Sequence, residues 1–196
     1  MRKSIVNLGI LVIGVTAVVI ACNSGNTSDQ TKPAKMTQAE MVKRGDYLVN
    51  AMGCDDCHSP KRMGPQGPEI IPELRFSGFT STGKVPPVDT TEIKKGWSMF
   101  SPDFTSAVGM WGQSFAGNLT SDATGIGNWK EEQFLKAIRE GKYKGLDGTR
   151  PLLPPMPWFM YKNLNDDDLK SIFAYLKTTK PVNNVVPAPI NLNDLK

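Results

Sequence analysis

The chain has 196 residues, a formal net charge of +4 and a 39% hydrophobic composition. That is enough to fill one modest core, so a single folded domain is expected, and with Arg2 and Lys3 set aside no basic stripe remains for nucleic acid. Its three cysteines and single histidine exclude any site that needs two imidazoles, and its 18 glycines and 15 prolines predict long ordered loops.

Residues 1–21 read as a targeting segment. Arg2 and Lys3 are followed by a run from Ile5 to Ala21 with no charged side chain. It ends in Val19-Ile20-Ala21-Cys22, which resembles the lipobox of bacterial lipoproteins: a small residue before the cut and a thiol, Cys22, to carry the lipid. The alternatives are an ordinary cleaved signal peptide or an uncut N-terminal membrane helix. Each version exports the domain, because the positive charges stay inside. The expected location is the periplasmic side of a bacterial membrane. Residues 22–36 are polar and read as a flexible tether, about 20 Å in root-mean-square span.

The folded part, expected over 37–186, begins with a helix. Thr37 and Glu40 fit a capping box, and Met41, Leu48 and Met52 fall on one face. Gly45 interrupts this helix, and close approach of a second helix is its natural reason. From 61 to 119 no periodicity persists, and Gly64-Pro65, Gly67-Pro68, Pro86-Pro87, Gly109 and Gly112 punctuate the run. An ordered, loop-rich insertion with short strands or turns is expected there. A second helix follows Asn128, the expected cap, with Phe134, Leu135 and Ile138 inward and Gly141 at its end. The third begins after Asn165. Asp166, Asp167 and Asp168 crowd its first turn, where the helix dipole favours negative charge. Leu169, Ile172, Phe173 and Leu176 repeat at helical spacing, and Pro181 stops it. Residues 187–196 are expected as an extended tail.

The chemistry concentrates in Cys54-Asp55-Asp56-Cys57-His58. A zinc site needs four ligands; no further histidine exists, and a carboxylate would have to complete the set, which is uncommon. A dithiol pair of the thioredoxin kind follows a strand, whereas this motif follows a helix. Cys-x-x-Cys-His is also the attachment pattern of c-type haem. Residues three apart on a helical turn share a side, so Cys54 and Cys57 can take the two vinyl groups and His58 can reach the iron. Asp55 and Asp56 need only stay clear. Every cysteine then has a task, in an exported chain where such haem is normally attached. For the opposite axial position methionine is the usual partner of histidine. Of nine methionines, Met63 is too near His58 and Met52 lies on the first helix. Met156 is held between Pro154, Pro155 and Pro157, which stiffen its loop. Met160, Met110, Met99 and an open site are the alternatives.

These residues resemble the class I-like bacterial cytochromes c. The stretches RGDYLVNAMGCDDCH, NLTSDATGIGNWKEEQFLKAIREGK and LLPPMPWFMYKNLNDDDLKSIFAYLK are similar to single modules of the multihaem cytochrome subunits of alcohol and gluconate dehydrogenases, over about 39–186. The resemblance implies an all-α fold, with three main helices around one covalently bound haem c and a long loop-rich insertion. It also implies a crossing of the first and last helices, with Gly45 against the face carrying Phe173 and Tyr175, and packing of Asn118–Thr120 and Trp129 near the haem. Arg150 departs from the family pattern; it either pairs a haem propionate or faces water. Those subunits carry three haem motifs and this chain has one. The implied function is electron transfer without catalysis of its own. The implied partners are a dehydrogenase or quinol-oxidising complex upstream and a terminal oxidase or reductase downstream. A haem enzyme or gas sensor with an open sixth site, and a fixed subunit of a larger oxidoreductase, are the competing readings.

Overall fold

The structure, a computed structural model, describes residues 35–84 and 87–195. The expected signal segment, Cys22 and the tether up to residue 34 lie outside the described residues.

The first helix, α1 (Gln38–Ala51), starts as its sequence dictates. The Thr37 hydroxyl accepts from the Glu40 N–H, and the Glu40 carboxylate accepts from the Thr37 N–H at 2.8 Å, so two otherwise unpaired donors are satisfied reciprocally. The last helix, α6 (Asp166–Leu176), is capped by Asn165, whose side-chain oxygen accepts from the Asp168 N–H at 2.7 Å. These two helices cross at Gly45. A Cβ built there would stand 2.7 Å from the Tyr175 Cβ and 2.6 Å from the Ser171 carbonyl carbon, with the Ser171 oxygen closer still. Gly45 thus meets the backbone of Ser171 and Tyr175. Phe173 turns the other way and packs on Phe134 with ring centroids 5.3 Å apart. Arg44 ties the crossing to Asp168 at 2.8 Å.

The α4 helix (Glu131–Glu140) completes the helical frame, burying Phe134, Ala137 and Ile138. Its N-cap is Lys130, in extended backbone and without a side-chain bond, so the expected cap Asn128 stands outside the helix. Gly141 ends it in the left-handed conformation. Leu48 and Val49 of α1, Phe134 and Ile138 of α4, and Leu169 and Ile172 of α6 share one apolar core.

The expected all-α class is corrected by what lies between. After the short helix α2 (Cys54–His58), β1 (Lys61–Gly64) and β2 (Gly67–Ile70) form an antiparallel hairpin. Beyond the short helix α3 (Thr90–Lys94), β3 (Met99–Phe100), β4 (Ser106–Gly109) and β5 (Gly112–Phe115) form a second antiparallel sheet in the order β3-β4-β5. The domain is therefore a helical frame with two small sheets inserted. The reason is local. Both hairpins turn between glycines, Gly64 facing Gly67 and Gly109 facing Gly112, and Gly67 and Gly112 hold positive φ, a conformation glycine adopts at little cost. The main chain has nowhere else to pair its N–H and C=O groups once buried, and β4 is buried along its whole length.

The chain after α6 folds back over this insertion. Asn184 donates to the carbonyls of Ser77 and Phe79, both at 2.8 Å, and accepts from the Ser81 N–H at 2.8 Å. Ile190 exchanges two backbone bonds with Gln113. The expected extended tail is thus fastened to the insertion and carries a 3-10 turn over Leu192–Asp194.

Candidate haem-binding site

The helix α1 delivers the attachment motif. It ends at Ala51, and Gly53 turns the chain at a φ of +67° into α2, which consists of Cys54 to His58 alone. Few residues other than glycine take that angle easily. The motif therefore begins with a sharp left-handed corner fixed to the end of a packed helix.

Cys54, Cys57 and His58 line one wall of a cavity of about 320 Å³. Its other walls come from distant parts of the chain: Trp129 and Phe134, Leu169 and Ile172, the 152–157 loop, and the tail from Val185 to Pro189. The lining is predominantly apolar, as a macrocycle of this kind requires.

The His58 Nδ1 lies 2.8 Å from the Gly117 carbonyl oxygen. A carbonyl only accepts, so Nδ1 carries the hydrogen and Nε2 is left bare as a ligand atom. Burial lowers the His58 pKa below its ordinary value, against the opposing pull of Gly117 and Asp55. Burial also pushes the Cys54 thiol up to about 12, helped by Asp55, and raises the Cys57 thiol, against the opposing effect of Lys61. A redox dithiol needs a depressed thiol instead. Among the described residues no group of three or more His, Cys, Asp and Glu side chains is placed to hold a metal ion. The motif thus offers two neutral thiols and one bare imidazole nitrogen facing an apolar chamber. These residues fit a covalently held haem.

Met156 lines the same cavity and is packed against the core. Its loop is fixed at both ends. The Leu152 N–H donates to Gly141 at 2.6 Å, the Ser114 hydroxyl donates to the Pro154 carbonyl at 2.6 Å, and Pro157 opens the short helix α5 (Trp158–Tyr161). Met52 also lines the cavity, from the α1 end two residues before Cys54. The other expected alternatives do not: Met160 and Met110 are each 62% exposed, and Met99 lies in β3. Asn118, Leu119 and Trp129 line the cavity, while Thr120 stands behind it with its hydroxyl on Asn118 at 2.7 Å. Arg150 lines it too, stacked over the Tyr143 ring at 3.9 Å.

Two residues of the site gave no sequence signal. Asp55, expected only to stay clear, is buried and held in a fork by Arg75, with Nη2 at 2.7 Å and Nε at 3.0 Å. The Ser59 hydroxyl donates to the same carboxylate at 2.6 Å and accepts from the Phe76 N–H at 2.9 Å. Arg75 also reaches Asn50 at 2.9 Å and the Tyr175 hydroxyl at 3.3 Å, so one guanidinium joins α1, α2 and α6. The second is Lys61, whose ammonium is ringed by carbonyls of the attachment turn.

The family model for cytochrome c matches residues 42–180. The chain is 30% identical to the fructose dehydrogenase cytochrome subunit of Gluconobacter japonicus, over 90% of this chain and 30% of that protein. It is 32% identical to the gluconate 2-dehydrogenase cytochrome c subunit of Pantoea cypripedii, over 69% of this chain and 22% of that protein. It is 27% identical to the cytochrome c subunit of the quinone-dependent alcohol dehydrogenase of Gluconobacter oxydans, over 87% of this chain and 26% of that protein. The chain thus spans less than a third of the length of each of these relatives. A corner that presents Cys54 and Cys57, an imidazole with one free nitrogen and a predominantly apolar cavity are what covalent haem c needs, and the chain belongs to the cytochrome c family, whose business is haem-borne electron transfer.

Proposed function

We propose that the chain is a monohaem electron carrier with His58 and Met156 as axial ligands, tethered through a lipid on Cys22 to a membrane outside the cytoplasm. The observation that carries the ligand assignment is that His58 and Met156 line one cavity while Met160, Met110 and Met99 do not, and that Met52, which also lines it, caps α1 two residues before Cys54, on the attachment side. Bound haem c supplies a one-electron couple. Cys54 and Cys57 hold it by thioether bonds. The hydrogen bond from His58 Nδ1 to Gly117 fixes the ring of this cavity-lining residue and leaves Nε2 free to ligate iron. Met156, on a loop braced by Ser114 and Gly141, presents a soft sulfur that favours the reduced state. Trp129, Phe134 and Leu169 line the cavity with apolar surface and would limit the access of water to bound haem, so that little would rearrange when its charge changes.

The relatives' names as dehydrogenase cytochrome subunits support a dehydrogenase as electron donor, either in passing contact or in a stable complex. An oxidase or reductase would be the acceptor. The test is carbon monoxide and the midpoint potential. The reduced wild-type protein should refuse carbon monoxide. Met156→Ala should bind it readily and have a lower potential. A wild type that binds carbon monoxide at once, or a Met156→Ala protein indistinguishable from wild type, rejects the ligand assignment.

A further inference from the structure

The α2 helix has five residues, and one side chain gathers carbonyls within it and just after it, the Asp55 oxygen being shared with the Ser59 N–H. The Lys61 Nζ lies 3.1 Å from the carbonyl oxygen of Asp55, 2.7 Å from that of Asp56, 2.9 Å from that of Ser59 and 3.2 Å from that of Asp103. The first three belong to the attachment turn itself. The fourth comes from the loop before β4, so the same group pins the insertion to the turn.

Four acceptors at these distances define the charge state. A neutral amine has two hydrogens to donate and an ammonium has three, so the ring of oxygens is built for the cation. Burial opposes the charge and draws the Lys61 pKa below its ordinary value, against the supporting carboxylates of Asp103, Asp56 and, more weakly, Asp55, which is forked by Arg75. None comes within ion-pair distance, for Lys61 belongs to none of the ion pairs among the described residues. Asp56 is exposed and screened by water. The Asp103 carboxylate is turned to the hydroxyls of Ser101, at 2.7 Å, and Thr105, at 2.9 Å.

The other cation at the turn behaves differently. Arg75 is forked onto Asp55, so its charge is cancelled where it stands. Arg75 holds geometry; Lys61 adds a field. We propose that Lys61 is a positioning residue that doubles as a fixed positive charge behind the attachment turn, outside the cavity lining, and that it would raise the reduction potential of haem held at that turn by disfavouring the extra positive charge of the oxidised iron. The proposal rests on haem attachment at Cys54 and Cys57 and not on which residue fills the sixth position.

The test is the midpoint potential of the full chain matured in a host that attaches haem c, for wild type, Lys61→Gln, Lys61→Met and Lys61→Arg. The two neutral variants should shift the potential downward with an unchanged reduced absorption spectrum, and the arginine variant should stay near wild type. Lys61→Met guards against a glutamine-specific repacking. A neutral variant with an unchanged or higher potential, or an arginine variant that falls as far as the neutral ones, overturns the proposal. So does colourless protein from both neutral variants with normal haem loading in Lys61→Arg, which would confine Lys61 to folding the turn. Failure of the Met156 assignment instead shows in carbon monoxide binding and leaves these shifts readable.

Discussion

Replacing Gly45 by alanine tests the crossing that sets the attachment corner. The new Cβ would stand 2.7 Å from the Tyr175 Cβ, where ordinary contact begins near 3.4 Å. The helices α1 and α6 must therefore part by roughly 0.7 Å or more, in an interior that has no slack to absorb it. Overpacking of this kind costs about 1–3 kcal/mol. Because the nearest neighbours are the Ser171 carbonyl and a Cβ, no flexible side-chain end can swing aside, and the upper part of that range applies. Alanine returns about 1 kcal/mol through its better helix propensity. The net expectation is a loss of about 2 kcal/mol, or a urea midpoint lower by about 1 M at a typical slope. Equilibrium unfolding of the haem-loaded protein, followed by circular dichroism, measures it, and Gly45→Val should fall further. A midpoint equal to or above wild type for Gly45→Ala would refute the packing argument.

Asn184→Ala removes two donors from the buried Ser77 and Phe79 carbonyls; with about 1–3 kcal/mol for each unsatisfied group, a large drop in melting temperature is expected, and a change within error would mean the tail is not held there. Asp147 lies between Lys136, at 2.6 Å, and Lys142, at 2.8 Å, which hold its carboxyl down at about 2 from 3.8. A depressed acid stabilises above its unfolded value and loses that contribution as pH falls, so Asp147→Asn should flatten the melting-temperature profile between pH 3.8 and about 2; an acid limb identical to wild type argues against the pairing. Cys22→Ala should release the domain from membranes or block its processing, as read by fractionation and mass spectrometry; unchanged attachment would favour an uncut N-terminal helix.

Features written in neighbouring residues were legible in the sequence. The Thr37–Glu40 box, the Asn165 cap and the Gly141 stop each need only a few positions in a row, and the structure has all three. Asn128 misled because its spacing to Glu131 fits a cap, yet Lys130, in extended backbone, is where the helix begins. Short strands or turns are expected somewhere in the 61–119 run, but the position of none of the five strands among the described residues is legible. Each has four residues or fewer, too few for alternation to register, and Gly, Ser and Pro replace the β-branched residues that mark a pleated surface. The attachment motif announced itself because cysteine and histidine are scarce here. Its supports did not, since Arg75 is 20 residues from Asp55 and Asn184 more than 100 from Ser77 and Phe79. Nothing local distinguishes a lysine that will meet four carbonyls from one that will meet water.

The chamber's final wall has a bearing on how the protein is made. Val185, Val186, Pro187 and Pro189 line it, and they follow every other lining residue along the chain. With that stretch undocked, the cavity that Cys54 and Cys57 line would lack one wall and be more accessible from that side. Seating of Asn184 on the Ser77 and Phe79 carbonyls then shuts the door. A chain stopped short of Asn184 should accordingly still take up its pigment, yet leave it wetted along one edge and easily bleached.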